Sequence, residues 1–338
     1  MSWFDRLTGF PEQGYAQTQA RFEVHGKRLH SLVNGRSWRI GALETPSLAE
    51  LRVRSATARE GTQGALRVRN IAADAYQLHT WPEVNGALVQ VASQFNLLEM
   101  PGYDVTPEDG VSDYEHDRTQ GPACARAAGA ATIYRNYFAP VGGQIGQTRA
   151  RQIDTLADLR AALPRGDEIE MRNGYALATP DILRAIDTRL ADLNDAERDS
   201  LRALLRIGLH HDVDVTAVGA LQGQRVSQAY CSALPVNYNH GTDPATWASF
   251  ACLVLEAAYE ATLHAAVVNA NRLGGSHRVY LTLVGGGVFG NRREWILGAI
   301  RRALDLVRGQ ALEVWLVSYG SVPDDLLMLA DDYDYHIA

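Results

Sequence analysis

The chain has 338 residues, of which 46% are hydrophobic and 21% charged, enough for a sizeable core in one large or two ordinary globular domains. A formal net charge of −7 leaves no basic excess to neutralise a phosphate backbone, which argues against a general nucleic-acid binder. The cysteines Cys124, Cys231 and Cys252 lack metal-ligand or redox spacing, and neither a secretory leader nor a run of about 18 apolar residues is visible. We therefore expect a protein with reduced thiols and no membrane association, either cytoplasmic or exported by a route needing no N-terminal signal.

Residues 1–64 read as an irregular extension packed on the core, with short strands such as Ser37–Ile40. The main domain, 65–338, opens with a strand at Leu66–Arg69, and a second strand at Ala87–Ser93 runs into Gln94-Phe95-Asn96. An acidic loop follows from Tyr103 to Arg118. It holds six carboxylates (Asp104, Glu108, Asp109, Asp113, Glu115, Asp117) against Arg118, a formal −5. Crowded carboxylates repel, which raises some of their pKa values and suits acid/base chemistry or metal binding; the plainer reading is a solvated acidic loop. Thr119-Gln120-Gly121-Pro122 then opens a helix running to about Tyr137, with a proline just inside its start. Its N-terminus can receive an anion, and the thiol of Cys124 in its first turn could ionise more readily there.

Residues 141–225 are predicted to form a helical insertion, with helices around Leu183–Leu193 and Ala196–Leu209. His210-His211-Asp212 and Asp214 read as a surface helix terminus, since adjacent histidines on a helix do not face one ligand. The α/β pattern resumes with a strand at Ser227–Leu234, a helix at Trp247–Arg272 and a strand at Val279–Val284. A helix from Glu294, a strand at Leu312–Val317 and a frayed acidic tail at 331–335 complete the chain. Strands alternating with helices predict a three-layer α/β/α fold around a mostly parallel or mixed sheet.

The most informative segment is Gly285-Gly286-Gly287-Val288-Phe289-Gly290, between a buried strand and a helix. Such a turn exposes backbone N–H groups beside a helix start, which is how α/β proteins hold phosphates. It lacks the Lys-Ser/Thr of a P-loop and does not read G-x-G-x-x-G. A tight turn with no ligand is the alternative.

The order of these parts resembles the macrodomain family. Ala92-Ser93-Gln94-Phe95-Asn96-Leu97-Leu98-Glu99, followed by Tyr114-Glu115-His116-Asp117-Arg118-Thr119-Gln120-Gly121-Pro122, is similar to its divergent branch around the bacterial effector MavL, whose members act as ADP-ribosylhydrolases. The resemblance covers roughly residues 65–140 and 226–320. It implies a macrodomain-like fold and a hydrolase that binds ADP-ribose and cleaves its N-glycosidic link to a protein side chain, arginine foremost. Asn96 would orient the distal ribose, Gly286 to Gly290 would hold the diphosphate, and Phe289 would pack against that ribose. Asp74 would accept from the adenine amine, with a turn-stabilising role as its alternative. Gln94, Thr119, Gln120, Gly121, Gly285, Val288 and Asn291 complete the expected ligand contacts. Asp117 and Asp113 would be the catalytic carboxylates, then Asp109 and Glu115, with Glu99 as a further position for the chemistry. The expected partners are ADP-ribose and an ADP-ribosylated protein, with no cofactor and no metal. The rival readings are a module that binds ADP-ribose without cleaving it, and a nucleotide phosphohydrolase using the same glycine turn with Mg²⁺.

Overall fold

In the computed structural model, which describes residues 1–239 and 242–334, seven strands form the central sheet. They are β1 (Ala42–Glu44), β2 (Arg67–Ala72), β3 (Leu88–Ala92), β4 (Gly208–Asp214), β5 (Arg225–Cys231), β6 (Arg278–Leu281) and β7 (Glu313–Ser318). Their order is β1-β4-β5-β3-β6-β7-β2. The five strands from β5 to β2 run parallel, while β4 is antiparallel to both β5 and β1. On β3, Leu88 points into one apolar cluster, whereas Val89 and Val91 point into another across the sheet. A parallel strand alternates in this way, with both faces dry, only when helices cover both sides.

The covering helices are α1 (Leu48–Ala58), α2 (Gln120–Ala127), α3 (Gly129–Tyr137), α4 (Pro180–Ala191), α5 (Asp195–Arg202), α6 (Ala248–Ala270), α7 (Arg293–Leu306) and α8 (Asp324–Asp334). Residues of α1, α4, α6, α7 and α8 share the larger cluster on one face, and α2 seals the other. The expected three-layer α/β/α architecture with a mixed sheet is therefore what the chain forms. Helix α6 is apolar almost all round because it lies in the core; its length and composition would suit a membrane, but most of it is buried. It carries one buried carboxylate, Glu260, gripped by Arg52, Arg302 and His264.

Several local expectations are corrected. The helix predicted from Thr119 to Tyr137 breaks at Ala128 (ψ 53°) into α2 and α3. A side chain at Gly129 would come within 2.5 Å of the Trp3 ring, so the break lets the N-terminal helix Trp3–Thr8 dock there. The segment 141–225 is not purely helical. It holds α4 and α5, but also a hairpin of Glu170–Arg172 with Tyr175–Leu177, and its last part is β4, a member of the central sheet. The second predicted helix stops at Arg202, short of Leu209. His210 and His211 consequently sit on a strand, where neighbouring side chains diverge: His210 is buried by Tyr134, and His211 meets Glu44 on β1 at 2.9 Å. The tail is not frayed up to residue 334, because Leu326, Leu329 and Tyr333 recur at helical spacing and bury in the core; Tyr335 lies outside the described residues.

The first 64 residues are structural parts of the whole. Trp3, Phe4, Phe10 and Phe22 form an aromatic cluster against α3 and Tyr114, and β1 extends the central sheet. Glu12 accepts from the N–H groups of Val111 and Ser112, while Glu115 accepts from that of Trp3. The acidic loop is thereby braced rather than freely solvated.

Candidate active site

Parallel strands direct their carboxyl ends, with the loops that follow, toward one edge of the sheet, where α/β proteins bind ligands. Here that edge carries a cleft with two lobes. The first, about 180 Å³, is lined by Ser93, Gln94, Glu99, Asp117, Tyr175, Tyr238 and Phe289 among others. The second, about 430 Å³, is lined by Asp74, Arg118, Arg293, Ser318 and Tyr319. Ala92, Thr119, Gln120, Leu283 and Gly287 line both, so the lobes are continuous.

The glycine turn lies at their junction, and its glycines have different jobs. Gly285 and Gly290 adopt left-handed φ (78° and 74°), and added side chains would strike Ala233 and Asn237 at 2.3 and 2.2 Å. Gly287 faces open space. Asn291 is buried and donates to the carbonyls of Leu234 (2.8 Å) and Gly285 (3.3 Å), bracing the turn from behind rather than lining the cleft. Among the described residues the N–H groups of Gly287, Val288 and Phe289 meet no acceptor, and the same holds for Gln120 and Gly121 opposite. Five such donors thus belong to residues that line the cleft, two of them, Gln120 and Gly287, at the junction of the lobes, which suits an anion.

The start of α2 is stapled to β3 by Gln120, whose side chain accepts from the Ala92 N–H (2.7 Å) and donates to the Gln90 carbonyl (2.9 Å). Gly121 serves close approach: a Cβ there would lie 2.1 Å from the Ala92 carbonyl oxygen and 3.1 Å from Glu99 Cγ. Tyr175, Tyr238 and Phe289 form an aromatic wall with ring centroids 5.0–5.5 Å apart. Tyr175 comes from the hairpin in the insertion, so that segment builds part of the cleft.

The four proposed catalytic carboxylates fare differently. Asp117 lines the first lobe, fixed by accepting from the Thr119 N–H at 2.8 Å. Asp113 is exposed and lines neither lobe. Asp109 is committed to Thr106, whose backbone N–H and hydroxyl hold its carboxyl below the ordinary value. Glu115 serves Trp3 and Arg6; burial opposes its ionisation, but these bonds outweigh it and lower its pKa. Crowding was expected to raise carboxyl pKa values in this loop, yet local donors lower these two.

The raised carboxyl is Glu99. Only 2% exposed, it lines the first lobe with neither oxygen hydrogen-bonded among the described residues. Burial pushes its pKa up to about 8 against the opposing pull of Arg135, 3.5 Å away. Its backbone N–H donates to the Tyr114 hydroxyl at 3.0 Å, locking it in place. The sequence signal was there: Glu99 is the one charge in Phe95-Asn96-Leu97-Leu98-Glu99-Met100. Tyr175 and Tyr238 carry no such mark.

Gln94 lines the lobe, but its amide also knots the turn through both backbone groups of Met100. Asn96 is buried away from the cleft, engaged by Gln152 and the Leu98 N–H, which leaves no amide group facing a ribose there. Asp74 caps the short helix Ala75–Leu78 through one oxygen while lining the second lobe, so its two readings are compatible. Val288 and Thr119 are exposed on the cleft. Gly286 packs near Ile296. Burial raises the Cys124 thiol far above its ordinary pKa, the reverse of the expected helix-start effect. Among the described residues no three His, Cys, Asp or Glu side chains gather as a metal set.

No family model matches the chain, and no curated protein does. Solved structures give a fold-level likeness. Poly(ADP-ribose) glycohydrolase from Deinococcus radiodurans in complex with ADP-ribose is 11% identical, covering 88% of this chain and 96% of its own at a TM-score of 0.47. The same complex in another crystal form is 13% identical over 88% of this chain and 94% of its own at 0.44. The enzyme from Thermomonospora curvata bound to the inhibitor ADP-HPD is 13% identical over 94% of each chain at 0.42.

Proposed function

We propose that this macrodomain-like protein binds ADP-ribose and hydrolyses the N-glycosidic bond joining it to a protein side chain, arginine foremost. The observation that carries this reading is the buried Glu99, whose carboxyl makes no hydrogen bond among the described residues, facing the same small lobe as Asp117 beside a glycine turn whose N–H groups meet no acceptor among those residues. A diphosphate at the turn would put the adenosine in the larger lobe, within reach of Asp74 and Tyr319, and the distal ribose against the aromatic wall and the two carboxyl groups.

Breaking a ribosyl–nitrogen bond requires a proton for the departing nitrogen and a water delivered to C1 as oxocarbenium character develops. Glu99, held neutral near pH 7 by burial, supplies the proton. Asp117 orients the water and takes up the proton it loses. The C1–N bond breaks, a C1–O bond forms, and the side chain and ADP-ribose leave. A guanidinium target suits the carboxylate of Asp117 in the first lobe, because opposite charge favours its approach. A module that only reads ADP-ribose has no use for a buried acid in its pocket.

Calorimetry with ADP-ribose, AMP and ribose 5-phosphate tests the binding; ADP-ribose should bind most tightly, and Gly287→Glu should abolish it by filling the open side of the turn with a charge. Incubation with substrates ADP-ribosylated on arginine, glutamate or serine, with and without EDTA, tests the chemistry. Binding without release of ADP-ribose from any of them would favour the reader, and EDTA-sensitive release of phosphate the phosphohydrolase.

A further inference from the structure

Resting on the hydrolase reading, we propose that Arg135 is the positioning residue of this site: its guanidinium fixes both the turn that leads to the acid and the carboxyl of Glu99 itself. Arg135 lies on α3, fully buried. Its Nε donates to the Leu97 carbonyl at 3.0 Å, and Nη2 donates to Thr132 Oγ1 at 3.0 Å while facing Glu99 Oε1 at 3.5 Å. The guanidinium lies over the Tyr230 ring, 3.9 Å from its centroid.

Leu97, two residues before Glu99, has a left-handed φ of 64°, a conformation a leucine adopts only when its surroundings impose it. Arg135 takes the Leu97 carbonyl, and Gln147 takes the Asn96 carbonyl at 3.0 Å, so two buried side chains hold the turn in that state. A buried guanidinium is costly to desolvate, and apolar packing would fill the space more cheaply. What the arginine adds is a fork that spans Leu97, Thr132 and Glu99 at once; the single ammonium of a lysine cannot do so.

The groups around Glu99 are Arg135 from α3, Tyr114 from the acidic loop, Cys124 from α2 and Tyr230 from β5, with Asp117 lining the same lobe. His210 on β4 faces Arg135, and burial keeps it neutral. Arg135 is thus the cation that acts on Glu99, favouring its ionised form against burial.

The test compares the parent with Glu99→Gln, Arg135→Gln, Arg135→Lys and the double variant Glu99→Gln/Arg135→Gln, in the full chain. Carbon-13 NMR titration of glutamate carboxyls identifies Glu99 by the signal lost in Glu99→Gln. In Arg135→Gln the Glu99 midpoint should move upward by about one pH unit or more, and the matching limb of the kcat profile should move with it. In Arg135→Lys the midpoint should stay within about half a unit, but kcat should fall about tenfold at unchanged KM because the turn loses its anchor. An unmoved midpoint in Arg135→Gln, or a loss of rate uniform across pH, makes Arg135 a packing residue and overturns the proposal. If Arg135→Gln does not fold, the double variant, with neither buried charge of this pair left, shows whether charge or packing was responsible, and full kcat in Arg135→Lys overturns the anchoring role. A parent that releases no ADP-ribose sinks the hydrolase reading alone, since the NMR titration still decides whether Arg135 controls Glu99.

Discussion

The molecule buries two glutamates almost completely and treats them in opposite ways. Glu260, on α6 at the floor of a surface pocket, is met by Arg52, Arg302 and His264, which hold it well below the usual carboxylate range although burial opposes this. Glu99, at the mouth of β3, has one cation at 3.5 Å and no hydrogen bond to its carboxyl among the described residues. Both are 2% exposed, so burial alone does not separate them. Partners do. A buried carboxylate surrounded by donors closes the packing of α1, α6 and α7, whereas one left short of donors beside a cleft is kept as an acid.

The largest effect that would break this contrast is on turnover. Glu99→Gln should cost about a hundredfold or more in the release of ADP-ribose while leaving ADP-ribose affinity close to the parent's. Asp117→Asn should behave similarly, at about a hundredfold. A normal rate in both variants would remove the chemistry from this lobe. Next in size, Glu260→Gln should lower unfolding free energy by about 3 kcal/mol in urea titrations, because Arg52 and Arg302 lose their common counter-charge. The fraction that folds should keep parental kcat.

A smaller effect sharpens the comparison through pH. Glu99 in the folded chain holds its proton to about 8, while the unfolded chain releases it near the ordinary 4.5. Between these values the unfolded state binds fewer protons, so the contribution of Glu99 to stability falls as pH rises. Glu260 does the reverse: its depressed value adds stability above about 4.5 that is lost as the solution is acidified below it. Melting curves from pH 5 to 8 should therefore show Glu99→Gln gaining on the parent as pH rises. The smallest effect concerns the wall: Tyr175→Ala should weaken ADP-ribose binding by about 1 kcal/mol, the scale of one lost aromatic contact, with no change in the Glu99 titration.

The five parallel strands and the glycine turn were legible in the sequence because their signals are local: short runs rich in apolar residues such as Leu88–Ala92, and glycines between a strand and a helix. The wall was not, because Tyr175, Tyr238 and Phe289 are far apart in the chain and meet only through the fold. Charge density misled for a different reason. Six acids in fourteen positions draw attention to the whole loop, yet sequence does not show which are already spent on neighbours. Asp109 serves Thr106, Glu115 serves Trp3, and only Asp117 of the four candidates reaches the cleft. Glu99 was obscured by its apolar neighbours, although a lone charge among them is the pattern a buried acid leaves. The adjacent histidines failed because a short stretch without caps fits a helix end and a strand equally well.

The bonds from Glu12 and Trp3 to residues 111, 112 and 115 join segments about a hundred positions apart. During synthesis, the segment from Trp3 to Glu12 emerges long before the loop it holds, and long before α3, on which both rest. The acidic loop that carries Asp117 to the cleft is therefore among the later parts to take shape, and its order depends on a stretch with no residue in the cleft itself. Trimming those first dozen residues, or attaching a bulky fusion to them, should be felt as slower recovery of activity after dilution from denaturant, with the central sheet still formed.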